Sequence, residues 1–493
     1  MELKIKLLKW TAGLPVAMLN EKTAMKMGVH TEDRISIKTI SKNPKEISTI
    51  IDIIKHLVKE DEIAVSFETK HKLGLRVGQK VDVNFFPAPR SVIFIKKKLN
   101  KKTLSKQEIS EIIRDVTNNS LSEPEIALFI SAMYQQKMSM KETIYLIEAI
   151  LESGNKLKLR NKFVVDKHSV GGIPGNRTTL IIVPICASAG LIMPKSSSRA
   201  ITSSAGTADV VETITGVEFS IDEVKKIIKK TNACLVWGGA LGMVPADSKI
   251  IKIEKQLKID PEAQFIASIM AKKLAFGAKY ILIDIPYGRT AKLNKARALK
   301  LKRKFEYLGR YFKLILKVVL TEAKEPMGSG VGPALELIDA IKILDPKQNG
   351  PEDLKKKSLF LAGELLEMTG KAKKGGGIKM AEEILDSGKA FEKFKQIIEA
   401  QGGALKEIKP AKFKRDILSK KSGKISEIDN KKIISLAAVA GCPADKFAGL
   451  YLYFNVGDKI KKHKKLLTIY SESKSRLNHA VRFYNKVKPI EIK

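Results

Sequence analysis

The heptad Asp166-Lys167-His168-Ser169-Val170-Gly171-Gly172 follows directly on a short apolar run at 163–165. A strand leading into a loop with a lysine, a hydroxyl and two glycines supplies what an oxyanion needs: a point charge, a side-chain donor and backbone N–H groups that a ligand can approach. A second loop, Lys195-Ser196-Ser197-Ser198-Arg199-Ala200-Ile201-Thr202-Ser203-Ser204-Ala205-Gly206-Thr207, precedes a helical run at 208–214. Its hydroxyl groups and single arginine, opening onto a helix N-terminus, suit a phosphate or a sugar better than an apolar ligand. Either loop alone could be a plain turn, but two of this chemistry in one chain point to an anion site.

A third feature lies on a helix. Asp260, Gln264, Ser268 and Lys272 recur every four residues, while Phe265, Ile266, Ile269 and Met270 occupy the other faces. Such a polar stripe faces either a cleft or solvent. Asp260-Pro261-Glu262 is a good helix start with Asp260 as N-cap. The remaining glycine signals are weak: Gly328-x-Gly330-x-Gly332 lacks dinucleotide-fingerprint spacing, and Gly375-Gly376-Gly377 reads as a turn. No His, Cys or carboxylate group has metal-ligand spacing, so no metal is expected.

Elements that position these residues are visible in the periodicity. At 493 residues the chain is long enough for about three domains. The first 90 mix β-type runs at 35–40 and 81–86 with a helical segment at 50–58, ending in Phe86-Pro87-Ala88-Pro89. They read as a small β-rich N-terminal domain. The lysine-rich stretch 96–102 reads as a solvated connection. From 107 to 154 the pattern is helical, with Ser122-x-x-Glu125 and Ser139-x-x-Glu142 fitting capping boxes. Ile126, Phe129, Ile130 and Met133 form one apolar face. Beyond Gly154, strands at 163–165, 280–285 and 313–320 alternate with helices, the pattern of an α/β lobe whose strand ends carry ligand loops. The apolar stretch 180–193 is too short to span a bilayer and reads as a buried helix. From about 411 the tail reads as mostly β with one helix at 430–440. The expected class is multidomain α/β, divided into 1–90, a helical lobe at 91–165 with a later segment near 245–275, an α/β lobe at 166–405 and an α+β domain at 406–493.

Composition narrows the partners. Glu2, Lys4, Lys6 and Lys9 interrupt the first ten residues, so no signal peptide is expected. Three widely spaced cysteines fit a reducing, cytoplasmic compartment. A net charge of +37 draws anions and opens RNA binding as a non-enzymatic reading. The lysines are spread along the chain without interleaved aromatics, which favours small anionic substrates over nucleic acid. No membrane partner is expected, and self-association into a homodimer or larger homo-oligomer through the N-terminal domain is.

Four ordered blocks, 166–172, 197–207, Ala246-Asp247 and 267–273 (Ala-Ser-x-x-Ala-Lys-Lys), resemble the thymidine and pyrimidine-nucleoside phosphorylase family over roughly 107 to the C-terminus. The resemblance implies a helical lobe facing an α/β lobe, with inorganic phosphate as co-substrate and no cofactor. Phosphate would be held by Lys167, Ser169, Ser197 and Thr207, and the base met by Ser268 and Lys272. Further substrate contacts would come from Gly172, Ser198, Arg199, Ala200, Ile201, Thr202, Ser203 and Thr207. Two departures are informative. The arginine that pyrimidine-specific members place before the polar helix is replaced by Lys252-Ile253-Glu254-Lys255, and the usual Gly-rich turn after the strand 280–285 by Tyr287-Gly288-Arg289-Thr290-Ala291-Lys292. The added cations, Arg289 and Lys292, suit an extra anionic group such as a 5′-phosphate. With its additional N-terminal domain, the chain resembles the archaeal AMP phosphorylases, which convert AMP and phosphate into ribose 1,5-bisphosphate and adenine, with CMP and UMP as further candidate substrates. In that branch the proton donor to the leaving base matches Asp260, whose pKa would have to be raised, and His168 is the competing acid. The alternative within the family is a nucleoside phosphorylase yielding a pentose 1-phosphate. The related anthranilate transferases want a Gly-Thr-Gly-Gly-Asp loop that this chain lacks.

Overall fold

A computed structural model describes residues 1–7, 15–157, 159, 163–200 and 203–493. Ile201 and Thr202 therefore lie outside the described residues. The chain is a multidomain α/β protein made of two compact units, Met1–Gly154 with Val244–Ala271, and Asn155–Met243 with Lys272–Lys493.

The first unit begins with a closed six-stranded barrel in the order Glu2–Leu7, Glu62–Val65, Val16–Asn20, Glu46–Ile54, Arg34–Thr39, Lys80–Phe85. Alternation turns Leu3 and Ile5, Ile35 and Ile37, and Val81 and Val83 into the barrel core. The helix expected at 50–58 is instead the second half of the strand Glu46–Ile54. Its β-branched residues Ile47, Thr49, Ile50, Ile51 and Ile53 are stiff in a helix and pack well on a pleated surface. Two neighbouring strands complete the hydrogen bonding, parallel on one side and antiparallel on the other.

Five helices follow in the same unit, Ser91–Leu99, Lys106–Asn118, Glu123–Gln136, Met140–Glu152 and Pro245–Leu257, with the start of a sixth, Glu262–Ala275. Ser122 with Glu125 and Ser139 with Glu142 form the expected capping boxes, and Ser105 with Glu108 forms another. The lysine-rich stretch is not a solvated connection throughout. Lys96, Lys97 and Lys98 close the helix Ser91–Leu99, and Lys98 is buried with its ammonium 2.8 Å from Glu142. Glu142 also accepts the Leu104 N–H, so one buried carboxylate fixes both the lysine and the following turn.

The second unit is built on parallel strands. Ile315–Glu322, Tyr280–Tyr287 and Val165–Ser169 pair in that order, and Met193–Ser197 pairs with Ala233–Trp237. A parallel bridge from Val164 to Ile192 links the two groups. Helices Thr178–Ser188, Pro333–Leu344, Glu352–Met368, Gly377–Asp386 and Lys389–Ala400 supply much of the core around Val165, Leu282 and Leu235. Strand boundaries shift the reading of the heptad: Asp166 through Ser169 are themselves strand residues, and the loop begins at Val170. The stretch 180–193 is buried helix up to Ser188 and then turns into the strand Met193–Ser197.

The C-terminal part of this unit holds a four-stranded sheet and a three-stranded one. Its helix Asn430–Ala440 has the expected ends. A second helix, Lys474–Val487, stands where the sequence reading had none; Ser473 caps it, and Leu477, Ala480 and Tyr484 form its buried stripe.

Candidate active site

The strand Val165–Ser169 sends alternate side chains to opposite faces. Lys167 and Ser169 share one face. Lys167, 1% exposed, donates to Thr178 Oγ1 at 2.6 Å, and Ser169 Oγ donates to Asp284 Oδ2 at 2.7 Å. Asp284 lies opposite Ser169 in the parallel register, fully buried, and takes Thr321 Oγ1 on its other oxygen at 2.6 Å. Lys357 from the helix Glu352–Met368 completes the group, its ammonium 3.0 Å from Asp284 Oδ2. Burial lowers the Lys167 pKa to about 7, against the pull of Asp284, with Lys357, Lys195 and Arg177 adding to the depression. A cation held so far below the ~10.4 of a free lysine gains its charge most readily when an anion arrives beside it.

That value fixes the sign of a pH effect. Phosphate binding favours the ammonium form, so above pH 7 the affinity for phosphate should fall by up to about tenfold per unit, while acidification below 7 brings no further gain from this group. Lys167→Ala should remove the dependence and raise the apparent KM for phosphate by roughly 10- to 150-fold, the loss of a charge-assisted partner worth about 1.5–3 kcal/mol. Phosphate titrations of both proteins between pH 6 and 9 check this. An unchanged phosphate KM in a variant that melts like the parent removes Lys167 from the site.

Asp166 and His168 occupy the opposite face. Asp166 receives Lys195 on Oδ1 at 3.0 Å and Lys273 on Oδ2 at 2.6 Å, and Lys195 also donates to the Lys167 carbonyl at 2.6 Å. Burial would raise the Asp166 pKa, but the two lysines outweigh it and hold the carboxylate ionised. Lys273 is likewise lowered to about 7 by burial. His168 sits among Lys273, Lys195, Lys167 and Lys272; burial first, and then these four cations, hold its pKa well below 6.5. The imidazole is neutral in these surroundings.

The Ser-rich loop is braced at both ends. Asp209 Oδ2 accepts the N–H groups of Ala200 and Gly206, each at 2.7 Å. Ser197 Oγ donates weakly to the Val236 carbonyl at 3.5 Å and Ser203 Oγ to the Ala205 carbonyl at 2.6 Å. Arg199, expected to contact substrate, is engaged by Glu212 at 2.6 and 2.8 Å and by Glu218 at 3.1 Å, and stacks over Trp237. Its guanidinium braces the loop. The helix after the loop is Thr207–Val211, shorter than the expected 208–214, so a helix dipole adds little here and the hydroxyls are the loop's candidate anion donors. Ser169, Gly172, Ser197, Ser198, Ala200, Ser203 and Thr207 are all partly exposed and thus reachable.

Gly206 passes directly beneath this loop: a Cβ there would lie 2.3 Å from the Ser198 carbonyl oxygen and 2.8 Å from the Ala200 nitrogen. Both are backbone atoms, so Gly206→Ala has to displace the loop. Displacements of about 1 Å in a positioning element cost roughly 10²-fold. We expect a loss of that order in kcat/KM with the fold retained by circular dichroism; a variant as active as the parent shows the loop is not used.

On the helix Glu262–Ala275, Gln264 Nε2 and Ser268 Oγ each donate to Asp247 at 3.0 Å, one to each oxygen. Asp247 and Gln264 are fully buried and Ser268 partly so. The stripe is therefore not a solvated face at these two positions. Asp260 is exposed, and the first helical turn closes with the Phe265 N–H on the Pro261 carbonyl at 2.9 Å. Past the strand Tyr280–Tyr287, the exposed Arg289 is ion-paired with Glu427, and Thr290 Oγ1 accepts from Asn430 Nδ2 at 2.9 Å. Lys292, the second added cation, is partly buried.

Sequence reasoning missed Thr178, Asp284, Lys357 and the pair Arg177–Glu336. Arg177 opens the helix Thr178–Ser188, bonds the Ala205 carbonyl and pairs with the buried Glu336, tying both candidate loops to one point. Asp284 did carry a signal, a lone acid in the apolar strand Tyr280–Tyr287. Lys357 carried none, since it lies within Lys355-Lys356-Lys357.

Comparisons with known proteins match this architecture. The glycosyl transferase family α/β domain matches residues 161–391 and its helical bundle domain 92–154, while the pyrimidine nucleoside phosphorylase C-terminal domain matches 424–491. An AMP phosphorylase of Methanococcus vannielii is 40% identical over 99% of this chain and 97% of its own. One from Thermococcus kodakarensis is 42% identical over 100% and 98%. The crystal structure of anthranilate phosphoribosyltransferase from Thermus thermophilus shares the fold with a TM-score of 0.51 at 18% identity, covering 63% of this chain and 99% of that one. Full-length similarity, the three matched domains and the buried cation with its hydroxyl neighbours converge: the chain belongs to the pyrimidine-nucleoside phosphorylase family, in its AMP phosphorylase branch.

Proposed function

We propose that this chain catalyses the phosphorolysis of AMP, with inorganic phosphate as co-substrate. An oxygen of phosphate bonds to C1′ of the ribose as the C1′–N9 bond breaks. The electron pair of that bond leaves with N9, which takes up a proton, giving ribose 1,5-bisphosphate and adenine. The observation that carries the reading is Lys167, a fully buried ammonium bonded to Thr178 and neighbouring the Ser169 hydroxyl, in a chain similar to AMP phosphorylases end to end.

In this reading Lys167, Ser169, Ser197 and Thr207 hold the attacking phosphate, and positioning of its oxygen against C1′ supplies much of the rate. Gly172, Ser198, Ala200, Ser203 and Thr207 line the approach of the sugar, Lys292 takes the 5′-phosphate, and Ser268 and Lys272 meet the base. Asp247 supports that last role by accepting the Ser268 hydrogen and so fixing the orientation of the hydroxyl. Asp260 donates the proton to N9. The engagement of Arg289 by Glu427 favours one second reading, a phosphorylase for unphosphorylated nucleosides, since it removes one of two cations from the proposed 5′-phosphate contact.

The test is incubation of the purified protein with phosphate and, separately, AMP, CMP, UMP, adenosine and thymidine, identifying the released base and sugar phosphate. Adenine and ribose 1,5-bisphosphate from AMP are expected. Release from adenosine alone selects the second reading.

A further inference from the structure

A lysine on the apolar face of a buried helix needs a reason. On Glu352–Met368 the inward stripe is Leu354, Lys357, Ser358, Leu361 and Leu365, so Lys357 stands where an apolar side chain would cost nothing. Its side chain is 8% exposed, and its ammonium lies 3.0 Å from Asp284 Oδ2. That same oxygen accepts the Ser169 hydroxyl at 2.7 Å. Among the described residues no oriented hydrogen bond leaves the Lys357 ammonium, so its hold on Asp284 is electrostatic.

We propose that Lys357 is a positioning residue of the phosphate site: it neutralises Asp284, so that the Ser169 hydroxyl and the Lys167 ammonium meet an incoming phosphate instead of being held, and the phosphate repelled, by an uncompensated buried carboxylate. The inference rests on the proposed role of Lys167 and Ser169. Asp284 is the group that fixes the Ser169 and Thr321 side chains, yet by itself it places a negative charge one hydrogen bond away from where a dianion has to bind. Within a buried region that repulsion is strong. Lys357 removes it without touching phosphate. When Ser169 turns its hydrogen to phosphate, Oδ2 keeps the Lys357 ammonium as partner, so the carboxylate is never left uncompensated.

The test is calorimetric binding of inorganic phosphate to the full-length protein at pH 7.5, together with the KM values for phosphate and AMP. Lys357→Met should weaken phosphate binding by at least about tenfold while leaving the AMP KM within about twofold. Lys357→Arg, which keeps the charge, should stay within about threefold of the parent. The double variant Lys357→Met with Asp284→Asn removes both charges and should regain phosphate affinity to within about threefold. If Lys357→Met does not fold, the double variant decides, because a buried pair replaced by a neutral pair is well tolerated. Normal phosphate binding in Lys357→Met, or a folded double variant that binds phosphate at least about tenfold more weakly than the parent, overturns the proposal. A parent that binds phosphate but releases no adenine from AMP overturns the AMP reading instead, and the phosphate titrations still decide the role of Lys357.

Discussion

Asp260→Asn should slow AMP turnover by roughly 10²–10⁴-fold, the usual range for losing a general acid, while the KM for AMP stays within about twofold. The amide matches the carboxyl in shape but has no proton to give. Stability should barely change, because Asp260 is exposed and asparagine caps a helix as well as aspartate does. The competing donor is His168. Burial and the four surrounding lysines keep its imidazole neutral well below pH 6.5, so it has no proton to donate at pH 7 unless bound phosphate first offsets those charges. A rate for Asp260→Asn within a few-fold of the parent, in a protein that melts normally, assigns the proton to His168.

The second large effect concerns the 5′-phosphate. AMP should exceed adenosine in kcat/KM by roughly 10²–10³-fold, since a partly buried charge contact is worth about 3–4 kcal/mol when its partner is truncated. Part of the loss should appear in kcat, because binding energy from a remote group helps orient the ribose at the reacting carbon. Lys292→Ala should erase most of the preference by slowing AMP and leaving adenosine unchanged. Arg289→Ala should matter little, as that guanidinium already belongs to Glu427. Equal specificity constants for AMP and adenosine in the parent select the nucleoside reading.

What was legible in the sequence follows the range of the interactions. The capping boxes at Ser122 and Ser139 and the helix Asn430–Ala440 depend on residues a few positions apart, and the structure forms them as read. The heptad and the Ser-rich loop were legible as candidate anion-binding segments because their donors are contiguous in the chain. The barrel strand Glu46–Ile54 was misread because its apolar residues suit either period, and pairing with two distant strands decides between them. Lys357 and Thr178 stayed hidden because their meaning comes from Asp284 and Lys167, on other elements. The partners of Arg199, Glu212 and Glu218, were hidden for the same reason, lying 13 and 19 residues away.

The central claim is that phosphate, and not water, cleaves the glycosidic bond of AMP. Phosphorus NMR of AMP mixed with the protein, with and without inorganic phosphate, tests it most directly. Consumption of one inorganic phosphate per adenine released, with two new resonances of equal area from ribose 1,5-bisphosphate and no reaction without phosphate, is the predicted result. Ribose 5-phosphate formed at the same rate whether or not phosphate is present, or AMP left intact in both samples, contradicts it.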